Sequence, residues 1–164
     1  MLVSSLAFWA ISSRKGSAAG ELVEKVQKAT AQAKGNALVL NGQKWLNEEY
    51  GAGLAEDGVV GAKTRKALVK ALQKELNAQY RRGLDVDGIW GPKTKAACVN
   101  VHQGARGDIT RVMQLALICE GYSKGGFDGV FGSGTLSDLK RFQKAEGLTV
   151  DGICGRNTWG KLLG

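Results

Sequence analysis

Apolar positions recur along the chain at helical spacing, and the runs are broken by glycines. Leu22, Val23, Val26, Ala29 and Ala33 share one side of a predicted helix over 20–35, with Glu21, Glu24, Lys25, Gln27 and Lys28 on the other. Lys34-Gly35-Asn36 is a good stop for it. Val39, Leu46 and Tyr50 line a next helix that includes Gln43 and Trp45 and ends at Gly51-Ala52-Gly53. A long helix over 62–82 puts Leu68, Leu72, Leu76 and Tyr80 on one stripe. Lys63, Lys66, Lys70 and Lys74 form a second stripe, whose simplest reading is a solvated face. A short helix from Pro92 to about Val99 follows. Val112, Leu115, Cys119 and Tyr122 predict another helix, capped by Gly107-Asp108. Leu136, Leu139 and Phe142 mark the next, ended by Gly147, and Thr158, Trp159, Leu162 and Leu163 the last.

Between these helices one pattern, D-G-[I/V]-x-G-x-x-T, occurs four times, beginning at Asp57, Asp87, Asp128 and Asp151. Its chemistry is readable. The aspartate can accept from the backbone two residues on, and the glycine after it reaches positive φ without strain. The second glycine suits a helix N-cap, with Pro92 following it at the first helical position in the second copy. The threonine then falls in the first helical turn. A glutamine precedes each turn: Gln43, Gln73 and Gln114 stand 14 residues before their aspartates, and Gln143 stands 8 before Asp151. That spacing pairs the copies. The predicted fold is all-α: two tandem three-helix domains over 36–103 and 104–164, built on repeated Asp-Gly turn plus helix units, after an N-terminal apolar segment and helical linker over 1–35. Each domain is near the lower size limit for independent folding.

Composition agrees with helices joined by glycine turns: 24 Gly and 1 Pro in 164 residues. The net charge of +8 is spread as +3, +3 and +2 over 1–35, 36–103 and 104–164. Such an even excess favours a polyanionic partner without pointing to nucleic acid, since there is no dense Lys/Arg block and no aromatic platform motif. Cell-wall polymers are equally anionic. Cys98, Cys119 and Cys154 all sit in apolar runs and read as small buried hydrophobes, and they offer no metal-ligand spacing. Leu2 to Ile11 is apolar but too short to span a bilayer as a helix. Arg14-Lys15 follow that run, where a signal peptide would place them before it, although Ser17-x-Ala19 is an acceptable cleavage pattern. The other reading is the last helix of an upstream domain and its linker.

At the motif residues the resemblance is specific. Met113-Gln114-Leu115, Gly121-Tyr122, Asp128-Gly129-Val130-Phe131-Gly132, Phe142-Gln143, Gly147-Leu148-Thr149-Val150-Asp151-Gly152 and Thr158-Trp159 follow one another in the order of a known pattern. The segment 107–163 resembles the peptidoglycan-binding domain family of cell-wall hydrolases, the type-1 peptidoglycan-binding fold. Residues 36–103 resemble it more distantly, with a longer loop from Asn77 to Leu84 and Ala97-Cys98 in place of the Trp-x-x-Leu ending. Together they cover about 130 of the 164 residues. The resemblance implies a compact helical module that binds glycan and stem peptide noncovalently, without a cofactor, beside the catalytic domain of an endolysin or autolysin. It implies an extracellular or wall-associated place of action, reached from the cytoplasm on release if the chain is phage-encoded. Tandem copies would add avidity by effective concentration.

In the resembling family the Asp-Gly loops and nearby helix ends form a shallow groove. The candidate contacts are therefore Trp90, Phe131 and Trp159 for stacking on sugars, Arg141 and Arg156 for peptide carboxylates, and the turn residues Asp128, Gly129, Asp151 and Gly152. Phe131 and Trp159 also read as core, and the aspartates as pure turn formers. Catalysis finds little to stand on. His102 is the single histidine and has no partner at metal spacing. Cys98 and His102 are four apart, but Val99-Asn100-Val101 between them reads as a helix ending. Four of the seven aspartates are used by turns. The expected function is a binding module without catalytic residues or metal, with no nucleic-acid partner and no stable membrane span. The alternatives are a charge-driven binder of another polyanion and a structural repeat without ligand.

Overall fold

The computed structural model describes residues 18–33 and 36–164; the readings made for residues 1–17 and for the stop at Lys34-Gly35 lie outside these. Among the described residues there are seven α-helices: α1 (Ala18–Ala33), α2 (Ala37–Tyr50), α3 (Ala62–Tyr80), α4 (Pro92–Ala97), α5 (Asp108–Cys119), α6 (Ser133–Ala145) and α7 (Arg156–Leu163). Two isolated antiparallel bridges, Val101 to Cys154 and Arg106 to Val130, are the β-type pairing found there. The all-helical expectation holds, and the helix starts follow the repeat. Gly61, Gly91, Gly132 and Gly155 are the extended N-caps of α3, α4, α6 and α7, and Pro92 opens α4.

Helix ends follow local chemistry. Asn36 caps α2 by accepting from the Leu38 and Val39 N–H groups at 2.8 and 3.3 Å. Gly51 ends α2 in the left-handed conformation, with its N–H on the Asn47 carbonyl and the Ala52 N–H on the Leu46 carbonyl. Arg81 ends α3 in the same way at φ 53°, a conformation that costs an L-residue with a Cβ about 1 kcal/mol or more. The helix therefore stops at Tyr80, and the Tyr80 side chain, expected on the apolar stripe, is 46% exposed.

The core is continuous across both repeats. Leu46, Leu68, Leu72 and Leu76 of the first half and Met113, Leu115, Phe142 and Trp159 of the second belong to one buried cluster. Helix α5 is its axis. It packs against α2, α3, α6 and α7, and every residue from Val112 to Cys119 is buried. The sequence pattern gave this helix one apolar face; with neighbours on all sides it has none exposed. Gly42 of α2 makes the closest approach, since a Cβ there would fall 2.1 Å from Leu115 Cδ1. The C-terminal helix α7 returns to the link between the halves, where Trp159 Nε1 donates to the Val99 carbonyl at 3.0 Å.

Candidate functional site

The four Asp-Gly turns are each closed by the glutamine that precedes them. Gln114, which is 2% exposed, donates through Nε2 to Asp128 Oδ1 (2.9 Å), the Val130 carbonyl (3.1 Å) and Thr135 Oγ1 (3.0 Å). Its Oε1 accepts from the Asp128 and Gly129 N–H groups at 3.2 and 2.8 Å. Asp128 also accepts from the Val130 N–H at 2.9 Å, two residues on, as an aspartate turn requires. The same closure joins Gln43 to Asp57 and Thr64, Gln73 to Asp87 and Thr94, and Gln143 to Asp151 and Thr158. It satisfies a buried amide completely, and so ties a loop, a helix start and the preceding helix together.

These bonds fix the electrostatics of the turns. Asp87 and Asp128 are held below the usual carboxylate range first by the glutamine amide and then by the backbone N–H two residues on. For Asp57 and Asp151 the backbone N–H is the larger cause. The glycine after each aspartate lies at φ between 69° and 74°. At Gly152 a Cβ would also fall 2.6 Å from Leu136 Cδ1, so both conformation and space require glycine. Asp128, Gly129, Asp151 and Gly152 are thus committed to shaping the chain.

The other predicted contacts separate by burial. Phe131 and Trp159 are 1% and 0% exposed and lie in the core. Arg141 is exposed, stacks its guanidinium 5.2 Å from the Tyr122 ring centre and lies 3.6 Å from Asp138. Trp90 and Arg156 are brought together. They line an open groove of about 520 Å³ between α4 and α7, with Lys95, Leu148, Asn157 and Gly160. The Trp90 indole rests against α7: a Cβ at Gly160 would lie 3.5 Å from its Nε1, and one at Gly164 would lie 3.0 Å from its Cδ1.

A second groove of about 620 Å³ lies along α3. Its walls are Tyr50, Gly51, Ala52 and Leu54 on one side and Val86 on the other, and Lys63, Lys66, Lys70 and Lys74 line it. Tyr50 Oη donates to Glu75 Oε1 at 2.9 Å, and Lys74 Nζ donates to the Tyr50 carbonyl at 3.0 Å. Burial, reinforced by the Glu75 carboxylate, holds the Tyr50 phenol well above its ordinary range. The lysine stripe was legible in the sequence; that it faces a concavity was not, because the opposing wall comes from outside the helix, at Tyr50, Gly51, Ala52 and Leu54 and at Val86.

Cys98 ends α4, and Val101 enters the bridge to Cys154, so Cys98 and His102 do not share a helix face. His102 is exposed, with Nδ1 3.0 Å from the Gln103 carbonyl. Among the described residues no group of three His, Cys, Asp or Glu side chains is placed to hold a metal ion, and no helix is long and apolar enough to cross a membrane.

Comparison with known proteins agrees with this geometry. The chain is 32% identical over 132 residues to the uncharacterized protein FadG of Bacillus subtilis, an alignment that covers 77% of this chain and 23% of that protein. It is 40% identical over 63 residues to the spore cortex-lytic enzyme of Oceanobacillus iheyensis, covering 38% of this chain and 23% of the relative. It is 41% identical over 58 residues to the spore cortex-lytic enzyme of Bacillus cereus, covering 35% and 22%. The chain therefore spans less than a quarter of the length of these relatives. The model of the family described as "putative peptidoglycan binding domain" matches twice, over residues 36–97 and 106–162. With four closed Asp-Gly turns and two family matches over most of its length, this chain belongs to the putative peptidoglycan binding domain family.

Proposed function

We propose that this chain holds bacterial peptidoglycan noncovalently through the groove between α4 and α7, as the targeting module of a wall hydrolase acting at the cell wall. The observation that carries this reading is the meeting of Trp90 and Arg156 in one open groove of about 520 Å³ in a chain of this family. An indole edge beside cationic groups suits a sugar ring carrying a peptide with carboxylates. Arg156, Lys95 and Lys161 supply the positive charge there. The Asp-Gly turns hold the groove walls, and the two halves, taken as repeats over 36–103 and 104–164, contribute one helix each. On this reading the hydrolytic chemistry belongs to a separate catalytic domain.

Co-sedimentation of the chain with purified sacculi tests the proposal, at low and at moderately high salt. Retention at both salts, competed by soluble wall fragments, is the expected result. Trp90→Ala and Arg156→Ala are each expected to weaken it about tenfold, on the scale of one stacking or charge-assisted contact, with an unchanged helical signal. Retention that vanishes with salt, or that both variants leave intact, would overturn the assignment of this groove.

A further inference from the structure

The groove along α3 carries an unusual charge row. Its four lysines belong to one helix at residues 63, 66, 70 and 74, so they step along the axis by about 4.5–6 Å and cover about 16 Å in all. Like charges three and four residues apart destabilise a helix by a few tenths of a kcal/mol per pair, and an arriving anion relieves that cost. Among the described residues, the ion pairs of 4 Å or less do not include Lys63, Lys66 or Lys70. The acid whose charge Lys66 feels, Asp87, has its Oδ1 committed to Gln73 and the Ile89 N–H. The stems of Lys66 and Lys70 are also confined. The turn at Gly88 lies on them so closely that a Cβ there would fall 2.5 Å from Lys66 Cγ and 3.1 Å from Lys70 Cγ. Part of the charge row is thus held along the groove at its stems before any ligand arrives, which lowers the cost of binding.

We propose that this groove binds a linear polyol-phosphate polymer of the cell wall, with successive phosphodiesters meeting successive lysines. The polymer's chemistry matches the row. It carries one negative charge per repeating unit at even intervals, and lysine ammonium groups bind phosphate oxygens as point charges. An N-acetylated glycan strand is uncharged, and stem-peptide carboxylates come in short groups mixed with amines. Nucleic acid is disfavoured by the lack of a stacking platform, since the one aromatic ring in the groove, Tyr50, already has Lys74 5.7 Å above its centre. The inference shares with the proposed function only the assumption that the chain works at the wall.

The test uses the full chain and two sacculus preparations, one retaining its phosphodiester polymer and one stripped of it with hydrofluoric acid. Binding is expected about tenfold tighter to the unstripped walls. Lys66→Gln with Lys70→Gln is expected to remove that advantage and leave binding to stripped walls unchanged. Lys44→Gln with Lys144→Gln, on exposed sites outside the groove, is expected to retain it. Soluble poly(glycerol phosphate) is expected to abolish the advantage, and a single-stranded oligonucleotide of equal charge to be much less effective. Equal binding to the two preparations, an advantage that survives in the Lys66/Lys70 variant, or equal competition by the oligonucleotide would overturn the inference. Binding to unstripped walls alone would sustain it while refuting the peptidoglycan reading of the α4–α7 groove.

Discussion

Replacing Gln114 with leucine removes an amide and little volume, and so isolates the turn closure. The amide joins three acceptors within 3.1 Å, a fourth at 3.5 Å (the Gly125 carbonyl) and two backbone donors, and Gly129 and Thr135 are themselves buried. Leucine would leave the Gly129 N–H, the Val130 carbonyl and Thr135 Oγ1 without this partner. At about 1 kcal/mol per net hydrogen bond and about 1–3 kcal/mol for a buried group left unsatisfied, the loss should be about 3–5 kcal/mol. That is a large part of a typical stability of about 5–15 kcal/mol. In urea denaturation followed by circular dichroism, the midpoint should fall by about 2 M with the slope unchanged. Gln114→Glu sharpens the test. Its carboxylate can still accept from Gly129 but must face Asp128 without a proton to share, so its folded pKa rises above the unfolded value of about 4.3. The folded variant then binds more protons than the unfolded one, and its stability relative to wild type must fall as pH climbs from about 4.3 through the raised value. A leucine variant that loses less than about 1 kcal/mol, or a glutamate variant with a deficit independent of pH between about 4.5 and 7, would refute the reasoning.

Four further outcomes follow from other parts of the molecule. Gly42→Ala places a methyl against Leu115 and should cost about 1–3 kcal/mol in thermal unfolding, with Leu115→Val restoring part of it; additive losses would argue against the contact. Arg81→Gly relieves the left-handed cap of α3 and should raise Tm by about 2–4 °C, where an unchanged or lower Tm would count against strain at that residue. Burial pushes the Cys98 thiol up to about 11 and Cys119 to about 12, and raises Cys154 as well. Native protein at pH 8 should therefore alkylate slowly and the denatured chain quickly, and rapid native labelling of Cys119 or Cys154 would contradict their placement. The four turn aspartates have depressed folded pKa values, so the stability they add is present above their unfolded pKa of about 3.9 and is lost as pH falls through the lower folded values. The urea midpoint should therefore fall as pH drops below about 4, and a midpoint that is the same at about pH 5 and about pH 2 would contradict it.

The helices and turns were legible because each is set locally. Asp128 accepts from the Val130 N–H, Pro92 opens α4 and Gly51 closes α2, all within a few residues. The glutamines were visible as a spacing, 14 residues before three of the aspartates, but the spacing alone does not say that the amide turns inward and binds both the turn and the next helix. Burial around α5 was hidden for another reason. Its run from Val112 to Cys119 is apolar except for Gln114, which is the available signal, whereas two separate units would need only one buried face on this helix. The grooves were the least readable part. Trp90 and Arg156 are 66 residues apart in sequence, and their meeting depends on how α7 folds back across the link between the halves.

That return of α7 has a consequence for proteolysis. Val101 pairs with Cys154, Arg106 with Val130, and Trp159 reaches Val99, so the connecting segment between the repeats is tied to the body on both sides of its exposed middle. A connecting stretch is ordinarily where a protease cuts first. Its exposed residues from His102 to Gly104 are pinned on either side, at Val101 and Ala105, so fitting this short span into a protease should require releasing those bridges, and cleavage should follow that opening rather than surface exposure. A chain stitched in this way would resist cleavage for as long as these ties hold, and lose that resistance all at once.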